Sequence, residues 1–168
     1  MEPPSRPAGT DIIIEDARGR APGPGGGGIR ISAPVAVARQ GGPDFTQSPA
    51  PSILLATDRI VKRLNARFRD KNKPTNVLTF EPLSPMHGGD IVLGYETVRR
   101  EAAAARRSLR AHLSHLVVHG ALHLAGYDHH HPGEAREMEG IETRTLRSLG
   151  FGDPWRQGNW QQAGSVRI

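Results

Sequence analysis

Apolar residues along this chain fall into short blocks of two kinds. The runs DIIIE, Asp11 to Glu15, and SILLA at 52–56 are unbroken aliphatic stretches, the pattern of buried strands. NVLTF at 76–80, ended by Pro82, and GDIVLGY at 89–95 read the same way, so four strands are expected. Helical periods occupy the rest. Thr57 is placed to cap a helix, Asp58 suits its first turn, and Ile60, Val61, Leu64 and Phe68 recur on one face until Pro74 closes the element. An alanine-rich helix is predicted from Glu96 to about Arg107. Ser108 caps another that runs to about Ala125, with Gly126 just beyond its end. A last helix fits Pro132 to Leu149, with Gly150 following.

Between the first two strands, residues 17–51 break both periods. They contain PGPGGGG at 22–28 and further prolines, and read as loop-rich, with a short strand near Ile29 to Ile31. Residues 1–10 read as a disordered tail, and 156–168 as an irregular C-terminal one, leaving one domain over 11–155. Strands early and helices late predict an α+β fold rather than an alternating α/β sheet.

Composition narrows the chemistry. The chain has no cysteine, which excludes disulfides and leaves His, Asp and Glu to hold any metal. No apolar run has the length of a membrane span, and MEPPSRPAGT lacks a signal-type core, so a cytoplasmic address is expected. A formal net charge of +5 makes polyanions candidate partners.

The densest chemistry lies in VVHGALHLAGYDHHHP, residues 117–132. His119 and His123 are four apart on a predicted helix, which stacks their imidazoles on one face. Gly126 permits a sharp turn that brings His129 back as a third ligand. Three protein ligands leave a fourth position for water, the plan of a catalytic zinc, although imidazole also suits nickel, copper or iron. The bland alternative makes His129, His130 and His131 an ordinary polar turn. The spacing matches the H-E-x-x-H-x-x-G-x-x-H peptidase motif except that Gly120 stands where the general base belongs, which argues for another substrate.

Two basic segments, 58–73 and 99–110, would suit a phosphate backbone, or are simply solvated helix faces. Arg69, at the end of the first helix, is expected to project freely and is the candidate to neutralise charge on a phosphate. His115 is read as an outer partner of the metal site or as core. His112 and His87 are expected at the surface. Asp128 either orients a ligand or shapes the turn, and Asp90 is structural or lines the cleft.

HGALHLAGYDH at 119–129 resembles the signature of the YbeY endoribonuclease family, also called the rRNA maturation factor family. LNARFRDKNKPTNVLTF (64–80), GGDIVLGYETVRREA (88–102) and the acidic helix through Glu137, Met138, Glu139 and Glu142, ending in LRSLGF, resemble that family in the same order. The likeness covers about residues 52–155, and DIIIED fits the family's first strand. It implies a small mixed four-stranded sheet packed with helices, with the metal site at the end of the central helix. It implies zinc on His119, His123 and His129, and a functional role for Arg69. It also implies a cytoplasmic, single-strand-specific endoribonuclease in 16S rRNA 3′-end maturation and ribosome quality control. Ribosomal proteins of the small subunit and an assembly GTPase are the implied partners. The chain departs from the family at 17–51, where relatives usually carry an amphipathic helix; an insertion and a shifted reading frame are the two explanations. Two other functions remain open: an assembly factor with a structural metal, and a metzincin-like peptidase, against which Gly120 speaks.

Overall fold

The computed structural model describes residue 49 and residues 51–128, 130–155 and 166–167. Strand β1 (Ser52–Ala56) leads into helix α1 (Asp58–Arg69); strands β2 (Val77–Phe80) and β3 (Asp90–Gly94) follow. Three helices come next, α2 (Tyr95–Ala104), α3 (Leu109–Leu124) and α4 (Pro132–Ser148), before a two-residue strand β4 (Val166–Arg167). The sheet order is β1-β3-β2-β4. β1 runs parallel to β3 with Ser52 opposite Asp90, and β2 runs antiparallel to β3 with Phe80 opposite Asp90. The sheet is therefore mixed, and three of its strands are the expected ones. The expected strand at Asp11 to Glu15 lies outside the described residues, as do residues 1–48. The sheet's other member, β4, comes instead from the tail expected to be irregular, and pairs parallel to β2.

Alternation along the strands divides the core in two. Val77, Ile91 and Leu93 face α3 and share one core cluster with its Leu116 and Val117 and with Ile141 and Leu146 of α4, which packs on α3. Leu78, Val92 and Ala56 face α1 through Val61, with Ile60 and Leu64 beside it. The helices thus cover both faces of the sheet.

α3 is the central element. The Ser108 side chain caps it by accepting the Ala111 N–H at 3.1 Å. Every residue from His112 to His123 is buried, so the helix has no solvent stripe and carries polar residues into the core. Gly120 sets how closely it lies on the sheet. A β-carbon there would meet Ile91 Cγ2 and Thr79 Cγ2 at 3.1 Å and Ile91 Cδ1 at 3.2 Å. At the Phe80–Asp90 end of the sheet, Leu124 packs over Gly89, so α3 finishes there. The Phe68 ring meets the Phe80 ring edge-on at 5.3 Å, so α1 finishes at the same end on the opposite face.

The helix boundaries differ from expectation at one place. α2 stops at Ala104 rather than near Arg107, because Arg106 takes a left-handed φ of 52°. The N–H groups of Arg106 and Arg107 return to the carbonyls of Ala103 and Ala102, the Schellman closure. An arginine at that position gives no sequence signal.

Gly120→Ala tests the close approach. Alanine gains up to about 1 kcal/mol of helix propensity, but overpacking a filled core costs about 1–3 kcal/mol. Ile91 and Thr79 are both buried and branched, with nowhere to move. The variant should be less stable by about 1 kcal/mol in urea unfolding; equal or higher stability would contradict this packing.

Candidate metal centre

His119 and His123 occupy successive turns at the C-terminal part of α3, 1% and 2% exposed. Each ring is fixed through its inner nitrogen. His119 Nδ1 donates to Glu142 Oε1 at 2.5 Å, and His123 Nδ1 donates to the Tyr127 carbonyl at 3.0 Å. A carboxylate and a carbonyl can only accept, so both Nδ1 atoms carry the proton and both Nε2 atoms present lone pairs. Those two Nε2 atoms stand 3.0 Å apart. Two neutral imidazoles facing each other in this way repel unless a proton or a cation lies between them.

The donor set fits a cation. Two nitrogens on one ion at about 2.0–2.1 Å, opened between a right angle and a tetrahedral angle, would stand about 2.9–3.3 Å apart. The protonated inner nitrogen bound to a carboxylate or carbonyl is the usual arrangement of a metal-ligating histidine. His129, the expected third ligand, lies outside the described residues. Among the described residues no group of three candidate ligands is assembled.

The local chain builds this geometry. Gly126, with φ of 94°, closes α3 by a Schellman turn in which the Gly126 and Tyr127 N–H groups return to the carbonyls of His123 and Leu122. That turn delivers the Tyr127 carbonyl to His123. The sharp turn expected at Gly126 is present, and it also orients a ring.

Glu142 was not singled out by the residue pattern, yet it organises the centre. It is fully buried on α4 and also accepts His115 Nε2 at 3.3 Å. Burial is the largest influence on its carboxyl and favours the neutral form. Interactions with His119 and His115 outweigh burial and hold the carboxyl's pKa down to about 2. One signal was available: Glu142 sits in the buried stripe Met138, Ile141, Thr145 and Leu146, where a carboxylate needs a partner. Burial lowers the pKa of His115, opposed by Glu142. His115 is thus buried in the core and hydrogen-bonded to the same carboxylate that holds His119. His112, expected at the surface, is instead fully buried with its Nε2 2.8 Å from Glu101 Oε2. His87 is exposed as expected. Asp128 pairs with His130 at 3.1 Å.

Arg69 ends α1, on the face of the sheet opposite α3 but at the same end. It does not project freely: its Nη1 donates to Asn65 Oδ1 at 3.3 Å, and burial lowers its pKa. Asn65 is itself fully buried and ties the following turn down by donating to the Lys73 carbonyl at 2.7 Å.

The fold and site define a small α+β domain whose central helix aims two buried, carboxylate- and carbonyl-oriented histidines at one point. The family model described as Endoribonuclease YbeY matches residues 42–150. A protein named Endoribonuclease YbeY from Gluconobacter oxydans is 93% identical over 168 residues, covering 100% of both chains. Another of that name from a Chelativorans species is 48% identical over 134 residues, 76% of this chain and 80% of the relative. A solution structure of a Thermotoga maritima protein aligns with a TM-score of 0.47 at 24% identity, over 73% of this chain and 85% of that one. The chain belongs to the YbeY endoribonuclease family. At 93% identity over the full length, the differing positions are too few to hold a frame-shifted segment as long as 17–51, so the Gluconobacter protein shares that segment.

Glu142→Gln leaves an amide N–H₂ facing one histidine donor. Zinc affinity, read by competition with a chromophoric chelator, should fall about 10–100-fold; an unchanged affinity would detach Glu142 from the centre. Acid stability offers a second check on chelated protein. His115 holds its proton less readily in the fold than in the unfolded chain, so it favours folding above its ordinary value of 6.5 and opposes it as pH falls below. Glu142 favours folding above 4.5, and that contribution is lost as pH falls toward about 2. Stability should therefore decline in two stages on acidification, and Glu142→Gln should remove the lower one.

Proposed function

We propose that this protein is a zinc-dependent, single-strand-specific endoribonuclease that matures the 3′ end of 16S rRNA and serves ribosome quality control. The observation that carries the metal half of the reading is the convergence of two Nε2 lone pairs on α3, each enforced by an acceptor at Nδ1. The RNA half follows from the family, whose members bear the name Endoribonuclease YbeY. The small ribosomal subunit and its assembly factors are the corresponding partners. No described helix is long and apolar enough to cross a membrane, which accords with a cytoplasmic site of action.

His119, His123 and His129 would hold the ion. When bound, it supplies Lewis acidity toward a phosphodiester oxygen. Glu142 keeps His119 in the tautomer that leaves Nε2 free to ligate, and the Tyr127 carbonyl does the same for His123. Burial of both rings excludes competing water and strengthens these hydrogen bonds. Arg69, braced by Asn65, offers a fixed guanidinium for a phosphate of the same strand. Peptide hydrolysis is disfavoured on steric grounds as well as chemical ones. The position of the peptidase base is Gly120, whose side-chain direction is filled by Ile91 and Thr79.

Purified protein should cleave single-stranded RNA, lose that activity on chelation and regain it with zinc. His123→Ala should lower cleavage by more than the roughly 100-fold expected of an outer partner. RNA left intact by metal-loaded protein that cleaves peptides would reverse the reading. Intact rRNA processing in cells carrying a folded His123→Ala variant would favour a non-enzymatic assembly factor. End groups at the cut identify the attacking oxygen: a 5′-phosphate and 3′-hydroxyl mark water, and a 2′,3′-cyclic phosphate excludes it.

A further inference from the structure

The outward face of α1 is a second feature of the molecule, separate from the histidines. Arg59, Lys62, Arg63 and Arg67 recur at spacings of three and four, so they share one face over about 12 Å of helix. All four are exposed. They line a shallow hollow of about 580 Å3, completed by Ala66 and Asn72.

Two other surface arginines are matched, Arg100 with Asp58 and Arg147 with Asp153, both at 3.3 Å. Among the described residues none of these four cations has a carboxylate partner. The one acid of α1, Asp58, is turned away to accept from the Thr97 N–H and hydroxyl at 3.0 and 2.8 Å. The positive charge of this face is thus answered by no carboxylate among the described residues.

The end of the stripe carries a different chemistry. Phe68 is 48% exposed, an unusual state for a phenyl ring in a chain with only four phenylalanines. Phe80 braces it edge-on at 5.3 Å, and the Arg67 guanidinium lies over it at 5.4 Å from the ring centre. A charged stripe that ends in an aromatic platform is the combination by which proteins bind single strands, phosphates on the cations and an unpaired base on the ring. A purely acidic protein surface would have use for the cations but not for the ring. α1 also ends at the Phe80–Asp90 end of the sheet, where α3 ends on the other face. A strand leaving the histidines across that end would reach Arg69 and Phe68 first, and then Arg67, Arg63, Lys62 and Arg59.

We infer that the outer face of α1 is a binding track for single-stranded RNA beyond the catalytic centre, with its phosphates on Arg59, Lys62, Arg63 and Arg67 and one base stacked at Phe68. The track rests on the RNA reading above. It adds a substrate-binding surface that the histidine centre does not require.

The test is equilibrium binding of the full-length protein to a single-stranded 2′-O-methyl RNA, long enough to run from the histidines along α1, measured across a salt series. The 2′-O-methyl backbone resists turnover. Each lost phosphate contact removes about 0.7 from the slope of log affinity against log salt. The triple substitution Arg59→Gln, Lys62→Gln, Arg63→Gln should lower that slope by about 2 and weaken binding at least about tenfold at ordinary salt. Arg59→Lys with Arg63→Lys should keep the slope. Phe68→Leu, which retains the apolar packing on Phe80, should weaken binding about tenfold with the slope unchanged, and Phe68→Trp should restore it. Equal affinity and slope in the triple variant and the wild type would overturn the track. So would displacement of the RNA by polyglutamate at matched charge, which would mark an acidic protein as the occupant. Cleavage of unmodified RNA separates the two readings. Wild-type protein that binds with the expected slope but never cleaves leaves the track and removes the nuclease. Cleavage with unaltered binding by the triple variant does the reverse.

Discussion

The arrangement of α3 turns on a single buried carboxylate. Glu142, fully buried, accepts from His119 and His115, and this fixes which nitrogen of His119 carries a proton. Without that acceptor, His119 could bear its proton on Nε2 and close the point that it shares with His123. A carboxylate so deeply buried would ordinarily be expensive. Two imidazole donors meet that cost, and they need Glu142 as much as it needs them. The contact therefore does two jobs at once. It binds α4 to α3, and it prepares the lone pair that a metal would use.

The backbone supplies the matching constraint on the other ring. The Schellman turn at Gly126 returns the chain so that the Tyr127 carbonyl faces His123. A side chain could rotate away from this ring, whereas a carbonyl locked in a helix terminus cannot. Gly120 sets the depth of the helix on β2 and β3, and so sets the height of both rings above the sheet. Orientation, tautomer and depth come from three different elements, which is why the pair is precise although it stands in the last turns of a helix.

Much of this was legible in the residue pattern, and the misses at Glu142 and His112 share one physical cause. The i, i+4 histidines, the turn at Gly126 and three of the strands follow from local spacing, which the chain expresses directly. Glu142 lies far along the chain from His119, and only the packing of α4 on α3 brings them together. Its sole local trace is a charge inside an apolar stripe. His112 looked like a surface residue for the same reason, since its partner Glu101 sits on another helix. Arg69 looked free because the brace from Asn65 depends on a turn held by a buried amide. Arg106 hid the end of α2 by taking a conformation that glycine would have announced.

Gly120 joins the fold to the chemistry. In a zinc peptidase the residue after the first histidine must carry a carboxylate into the cleft, so the helix must stand off far enough to leave room for it. Here the same position faces the sheet, where even a β-carbon would press on Ile91 and Thr79. The domain gains a tightly seated central helix and gives up the base. A hydrolase built this way cannot take its proton acceptor from α3, and must find one on the substrate, on another element or in solvent. A ribose hydroxyl next to the scissile phosphate could supply the attacking oxygen, but its own proton must still leave, so it does not replace the missing acceptor. The steric demand at Gly120 thus speaks against a metzincin-type peptidase independently of the basic faces. The two lines bear on the substrate from opposite sides of the sheet: α3 leaves no place for the peptidase base, and α1 exposes cations of the kind that suit phosphates.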